Sequence, residues 1–288
     1  MNAVQVIIFT DELQKCGGWH GAQLAAAFAA RGVEAVFISL QDCVIDLSAQ
    51  KPNINIPYFD TLPKAVFVRG IAGGTLQQIT QRLNILHALK MLGVMVYNDG
   101  KAIERTVDKA MTSFLLHQNG VNSPKTWVCE SRLHAHEIIA KQEQLVIKPL
   151  FGSQGQGVRM VEKMPLPMDA HVDGVFYLQQ LIKASSDYRV FIINNQAIAA
   201  MKRTGKTWLH NVAQGAACEI THEAEVLEIA LQASQLLEIA YCGVDVIRDE
   251  NGQLSVLEVN SIPAWRGLQS VTKTSIAQAL VNDFLSKL

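Results

Sequence analysis

Near the C-terminus a short apolar strand carries an acid, Gly243-Val244-Asp245-Val246. A second strand, Leu257-Glu258-Val259-Asn260, follows across a turn at Glu250-Asn251-Gly252. Side chains alternate along a strand, so Glu258 and Asn260 share a face. An antiparallel pairing brings Asp245 beside them and gathers hard oxygen ligands, which suit Mg²⁺ better than a soft metal. An acid among Val256, Leu257 and Val259 is costly unless it is paired or metal-bound. Upstream, Val146-Ile147-Lys148-Pro149 leads into Gly152-Ser153-Gln154-Gly155-Gln156-Gly157. A lysine on a strand before a flexible glycine loop is an arrangement for gripping phosphates. The loop is not a P-loop, which needs Gly-Lys-Ser/Thr leading into a helix, and a strand rather than a dinucleotide-binding helix follows it. Lys109, in a polar helical turn farther upstream, is a second candidate for a phosphate clamp. Together these residues point to an ATP-dependent enzyme.

The elements that must position them fall into two kinds. Residues 4–9, 33–40, 64–68 and 94–97 read as unbroken apolar strands. They alternate with helices over 19–31, ended by Gly32, and 75–92, with Thr75 as cap and Gly93 as stop. Such alternation predicts a parallel sheet covered on both faces. Residues 46–60 read as an irregular connection. The second half predicts helices over 101–119, 131–142 and 222–240. Its strands are 125–129, 144–149, 157–161 and 176–182, then a hairpin of 188–193 and 197–203 turning at Asn194-Asn195-Gln196. A closing helix from 272 carries Ile276, Leu280 and Phe284 on one face. The fold class is α/β plus α+β, in three segments, 1–98, 99–183 and 184–288.

Composition bounds the alternatives. The 288 residues are 49% hydrophobic and 18% charged, with a net charge of -1. That size can bury a large core, and that charge argues against a generic nucleic-acid binder. No apolar run approaches the roughly 18 residues of a membrane span, and the first residues lack the basic region of a signal peptide. The five cysteines, Cys16, Cys43, Cys129, Cys218 and Cys242, form no CxxC pair. Reduced thiols in a cytoplasm are the simplest reading.

The order Lys109, Lys148-Pro149, glycine loop, Gln179-Gln180-Leu181-Ile182, Asp187-x-Arg189, Arg203, Asn211, Asp245, Glu258-x-Asn260 resembles the ATP-grasp superfamily. It is most similar to the RimK-like branch of amino-acid ligases, which add glutamate to an acceptor. The resemblance is most specific between residues 100 and 270. It implies an ATP-grasp fold in which Lys109 and Lys148 contact the ATP phosphates. The loop of Gly152, Ser153, Gln154, Gly155 and Gly157 would close over them. Backbone at Gln180 and Leu181, next to Ile182, would hold adenine, with Asp187 near the ribose and Asn211 near the phosphates. Asp245, Glu258 and Asn260 would hold two Mg²⁺ ions, for which Mn²⁺ could substitute. Arg203 would be the catalytic residue that stabilises the transferred phosphoryl group, and Arg189 and Arg266 would hold substrate carboxylates.

What the resemblance implies is an ADP-forming carboxylate–amine ligase working through an acylphosphate, with ATP, an amino acid (L-glutamate) and a carboxylate acceptor as partners, in a homo-oligomer. Many relatives carry arginine where this chain has Leu209, Arg-Gly-Gly where it has Gln214-Gly215-Ala216, and Pro-Gly where it has Pro263-Ala264. These departures touch the acceptor side. The stretch from Pro263 to Gln269 is similar to relatives that modify tetrahydromethanopterin-type pterins, with Trp208 or Trp265 to pack the aromatic part. The alternatives are a ligase for a protein tail or carrier protein, a dipeptide ligase, and an ATP-binding module without activity. The stretches 69–74 and 15–18 are each either a substrate loop or a plain turn.

Overall fold

The computed structural model describes residues 4–152, 157–161, 166, 174–184, 186–205 and 217–288. Its first unit is built on β1 (Val4–Phe9), α1 (Gly18–Ala29), β2 (Val33–Ile38), β3 (Val44–Asp46), β4 (Asn53–Asn55), β5 (Ala65–Val68), α2 (Leu76–Met91) and β6 (Met95–Tyr97). Four of these strands form the expected parallel sheet, in the order β2-β1-β5-β6. Thr75 caps α2 in a reciprocal box with Gln78, so two otherwise orphaned backbone donors are satisfied. The segment read as irregular instead holds the antiparallel pair β3 and β4. Three-residue strands are too short to show an alternation.

The second unit comprises α3 (Gly100–Val107), α4 (Lys109–Gln118), β7 (Thr126–Cys129), α5 (Arg132–Ala140), β8 (Leu145–Lys148), β9 (Arg159–Met160) and β10 (Phe176–Gln180). Its antiparallel sheet runs β7-β10-β8-β9. The single helix expected over 101–119 is two helices. Asp108 ends the first, and its carboxylate accepts from the amides of Ala110 and Met111 to start the second. Aspartate bonds to nearby backbone more readily than it sits inside a helix, so the break falls there. Lys109 thereby becomes the first residue of α4.

The third unit is a five-stranded antiparallel sheet, β13-β12-β11-β14-β15. It is made of β11 (Ser186–Ile193), β12 (Gln196–Thr204), β13 (Ala217–Ile220), α6 (Ala224–Leu236), β14 (Tyr241–Arg248) and β15 (Leu254–Asn260), followed by α7 (Arg266–Gln269) and α8 (Ile276–Ser286). Strand β13 was not expected from sequence. Helix α6 covers one face of this sheet. The other face shares a core with the first unit, where Phe28, Phe67, Tyr97, Tyr241 and Phe284 pack ring to ring. Ile276, Leu280 and Phe284 are fully buried there, as their spacing predicted. No helix among the described residues is long and apolar enough to cross a membrane, and all five cysteines are free thiols.

Asn98 and His20 are among the polar side chains that join the first unit to the third. Asn98 is fully buried. Its Nδ2 donates to the carbonyls of Tyr241 and Ser261, both at 2.7 Å, and its Oδ1 accepts from the amides of Ala240 (2.9 Å) and Tyr241 (3.2 Å). His20, on α1, accepts from the Trp265 amide at 3.1 Å through Nε2. Burial, with the positive charges of Arg69 and Arg266, pushes the His20 pKa down to about 3.

Asn98→Ala leaves two buried carbonyls and two amides without partners, each costing about 1–3 kcal/mol. Stability is expected to fall by about 3 kcal/mol or more in urea unfolding, whereas a change within about 0.5 kcal/mol would contradict the junction's role. His20 sets a second expectation. Its folded pKa lies below the unfolded value of 6.5, so its contribution is fully present above pH 6.5 and is lost as pH falls toward 3. Urea midpoints between pH 7.5 and 4.5 should drop less steeply in His20→Gln, which cannot gain a proton, than in the parent.

Candidate active site

Strand register places the charged residues on one face of the third sheet. Asp187 and Arg189 are two apart on β11. Asp187 lies opposite Arg203 on β12, and Arg189 lies opposite Asp245 on β14. Asp245 in turn lies opposite Glu258 on β15, at a register shift that precedes Val246. The antiparallel pairing expected of Asp245 and Glu258 is therefore present. Glu258 and Asn260 do share a face, since Asn260 Nδ2 donates to Glu258 Oε1 at 2.9 Å.

These charges alternate in sign and are bonded in series. Arg203 donates through Nε and Nη2 to the two oxygens of Asp187, at 2.6 and 2.9 Å. The same Nη2 donates to Asp245 Oδ1 at 2.9 Å. Arg189 grips Asp245 in the same forked way, at 2.5 and 2.7 Å. Arg203, Asp187 and Asp245 are all buried. Burial works against the Asp245 charge, but Arg189 and Arg203 hold its pKa down to about 2. Among the described residues Asp187 has Arg203 as its one direct partner; burial and the nearby Asp245 charge push it up to about 6. Arg203 is also penalised by burial, yet Asp245 and Asp187 hold its proton more firmly than usual. Gly243 makes room for this ladder. A Cβ there would stand 2.8 Å from Arg189 Nη1 and 2.9 Å from Pro263 Cβ.

The lysines come from the second unit. Lys148 ends β8 and donates to Gln179 Oε1 at 2.5 Å. Gln179 is itself buried and donates to Thr126 Oγ1 and the Tyr177 hydroxyl. Burial and Lys109 lower the Lys148 pKa, while Glu258 and Asp245 pull it up. Lys109 donates to the carbonyls of Leu150 (3.3 Å) and Gly152 (2.9 Å) at the root of the glycine loop. Burial lowers its pKa also, against the attraction of Glu258. A cation at the first residue of a helix works against the helix dipole, so Lys109 is not there for the helix. Gly157 closes the loop with φ of +72°, and a Cβ on it would lie 2.8 Å from Pro149 Cγ. Ser153, Gln154, Gly155 and Asn211 lie outside the described residues, as does Trp208.

The site thus joins Lys109, Lys148, Arg203, Asp245, Glu258 and Asn260. Several of the expected site residues have partners within the protein. Asp187 is Arg203's partner, with both oxygens engaged. Arg189 is committed to Asp245 rather than open to a substrate carboxylate. The amides of Gln180 and Leu181 donate to the carbonyls of Lys125 and Gln144. Trp265 is 1% exposed and lies under Arg69, His20, Trp19 and Phe191. It backs a surface and cannot stack on a bound ring. Arg266 is exposed, over the Trp19 ring. Sequence reasoning gave no role to Gln179, whose signal was an amide at an inward position of an apolar strand.

Glu258 with the Asn260 amide beside it, and Asp245, whose two oxygens also accept from Arg189 and Arg203, are hard oxygen donors of the kind that suits Mg²⁺. Among the described residues no group of three His, Cys, Asp or Glu forms a metal cluster, so the amide is needed to complete the set.

A profile of the RimK-like ATP-grasp domain matches residues 106–284. The tetrahydromethanopterin:α-L-glutamate ligase of Methanocaldococcus jannaschii is 38% identical over 209 residues, 67% of this chain and 70% of that protein. A probable α-L-glutamate ligase of Teredinibacter turnerae is 29% identical over 283 residues, covering 92% of this chain and 90% of that one. Among solved structures, the ATP-grasp ligase PsnB complexed with minimal precursor, Mg and ADP aligns over 98% of this chain and 97% of its own, with a TM-score of 0.74. Its 20% identity speaks for the ATP-grasp fold alone. ATP-grasp ligases use ATP with Mg²⁺. The profile and these relatives show that the chain belongs to the RimK-like ATP-grasp family, the ADP-forming carboxylate–amine ligases.

Proposed function

We propose that this ligase joins L-glutamate to a carboxylate on a small acceptor, a pterin cofactor's side chain being the favoured class. The observation that carries the catalytic part is the convergence of two lysines and a buried arginine on a pair of facing carboxylates. The relatives named for glutamate and tetrahydromethanopterin support the substrate part.

In this reading Asp245, Glu258 and Asn260 would hold Mg²⁺, as two ions, which would neutralise phosphate charge. Lys109 and Lys148 hold the β- and γ-phosphates, and the loop from Gly152 to Gly157 covers them. The acceptor carboxylate attacks the γ-phosphorus; the bond to the β,γ-bridging oxygen breaks, and ADP leaves with that electron pair. Arg203 lies beside the acids and offsets charge on the transferring group. The neutral glutamate amine then attacks the acylphosphate carbon, the C–O bond to phosphate breaks, and the amide forms as inorganic phosphate leaves with the electron pair and the amine's proton passes to the departing phosphate. Shielding by the loop keeps water from the acylphosphate. Arg189 and Asp187 act as positioning residues. They fix Asp245 and Arg203, so neither side chain must reorganise when charge develops.

Glu258→Gln is expected to cut ADP release at least about a hundredfold, the scale of one lost electrostatic group, with an unchanged thermal midpoint. Near-normal turnover would overturn the metal assignment. Two cations should separate by mechanism. Arg203→Met strands Asp187 in the core and should cost about 3–5 kcal/mol of stability as well as activity. Lys109→Met, at a helix end, should cost under about 1 kcal/mol while still removing most activity. Urea unfolding and ADP release on both variants check this.

A further inference from the structure

A second cationic surface lies where the first unit meets the loop after β15, and the ladder does not use it. Arg69 follows β5, and its guanidinium lies over the Trp265 ring, 5.1 Å from the centroid. Arg266 lies over the Trp19 ring at 5.9 Å. The His20 ring sits between the two indoles, 4.5 Å from Trp265 and 5.0 Å from Trp19. Among the described residues neither arginine has an acid within ion-pair distance. Asp11 and Glu12 act on Arg69 only at longer range. Two buried donors here, Arg69 Nε and Trp265 Nε1, have no acceptor among the described residues. A buried donor without an acceptor is costly, and so is adjacent uncompensated positive charge.

The surface is also built to stay in place. The buried Arg82 side chain of α2 donates to the carbonyls of Ala72 (2.5 Å) and Gly73 (3.0 Å) and so anchors the 69–74 loop. Backbone amides of Arg69 and Gly70 both donate to the Phe9 carbonyl. Gly70 packs so closely that a Cβ on it would lie 1.9 Å from Asp11 Oδ1. The stretch is therefore more than a plain turn. His20 cannot supply a third cation, since both arginines and burial keep it neutral. Two guanidiniums on aromatic shelves, pre-oriented and without acids, match one or two carboxylates.

We infer that Arg69 and Arg266, backed by Trp265, Trp19 and His20, form a subsite for a non-reacting carboxylate of a substrate. This rests on the ligase reading above, because the ligand is one of that reaction's two carboxylate-bearing reactants. Arg69 is the specificity-determining residue; Arg266, at the exposed edge, completes the clamp.

The test measures calorimetric binding of L-glutamate, and separately of glutarate as an amine-free stand-in for the acceptor, to the full chain with Mg²⁺ and a non-hydrolysable ATP analogue. Affinity for the ATP analogue alone is read in parallel. Arg69→Met should weaken at least one probe about tenfold or more, the scale of one lost charge-assisted contact, and Arg69→Lys should recover part of it. Loss confined to glutamate assigns the subsite to the amino acid; loss confined to glutarate assigns it to the acceptor. Arg266→Gln, exposed and so harmless to folding, should weaken the same probe. Unchanged probe affinity in both variants overturns the subsite, as does a parent protein that binds the ATP analogue but neither probe. Failure of the parent to bind the ATP analogue instead overturns the ligase reading itself.

Discussion

The structure depends on one constraint: charges buried in a sheet must neutralise one another in place. A carboxylate taken from water into a core is heavily penalised unless partners return what hydration supplied. Asp187, Arg203, Asp245 and Arg189 meet that demand by alternating in sign along adjacent strands, with forked contacts at both guanidiniums. The order cannot be permuted. If Arg189 were absent, Asp245 would rest on a single Nη2 shared with Asp187. If Gly243 carried a side chain, Arg189 could not reach across. The ladder also determines what its neighbour can do. Among the described residues Glu258, the next acid along the row, is bonded to the Asn260 amide and has no ion-pair partner. It is the acid whose charge is left for cations arriving from outside the sheet.

Those cations belong to the second unit, Lys148 on its sheet and Lys109 on α4, and that makes the site a product of docking. Lys148 is fixed by Gln179, which is held by Thr126 and Tyr177, while Tyr177 shares a hydrogen bond with Ser113 on α4. Lys148 is therefore tied through these bonds to α4, the helix that Lys109 opens. Where the second unit meets β15, Asn122 donates to the Leu254 carbonyl and to Ser255 Oγ, and its own carbonyl accepts from the Val256 amide. Attraction between Glu258 and the lysines works across this same contact. Metal or phosphate added there would change the force between the two sheets as well as the chemistry.

Legibility in the sequence followed the reach of each signal. Alternation along β14 and β15 disclosed that Asp245, Glu258 and Asn260 meet, because strand geometry is local and periodic. The parallel sheet was equally plain, since buried parallel strands read as unbroken apolar runs. What stayed hidden depended on partners far away in sequence. Nothing near Arg189 says that its guanidinium is spoken for by a residue 56 positions on, so a substrate contact looked as good as an ion pair. Trp265 looked available to a ligand because its burial comes from α1 and β11. Asn98 stood at a segment boundary and gave no hint of the four bonds it makes. The split at Asp108 was within reach, as the residue is a strong N-cap; the apolar pattern on both sides concealed it.

Commitment of Arg189 has a further consequence for substrate recognition. A ligase that activates one carboxylate while holding another must meet negative charge at two places. The ladder's arginines are already matched to its acids, so pulling one away to greet a substrate would leave Asp245 or Asp187 uncompensated in a water-poor environment. Recognition of a non-reacting carboxylate then falls to cations that carry no such debt to the fold. Around this face, Arg69 and Arg266 meet that condition, and both lie in segments outside the charged strands: one after a strand of the parallel sheet, the other beyond Asn260. The sequence departures at Pro263-Ala264 sit beside the second of them. Nucleotide chemistry can thus stay fixed by the ladder while the choice of acceptor varies in loops that the ladder does not constrain.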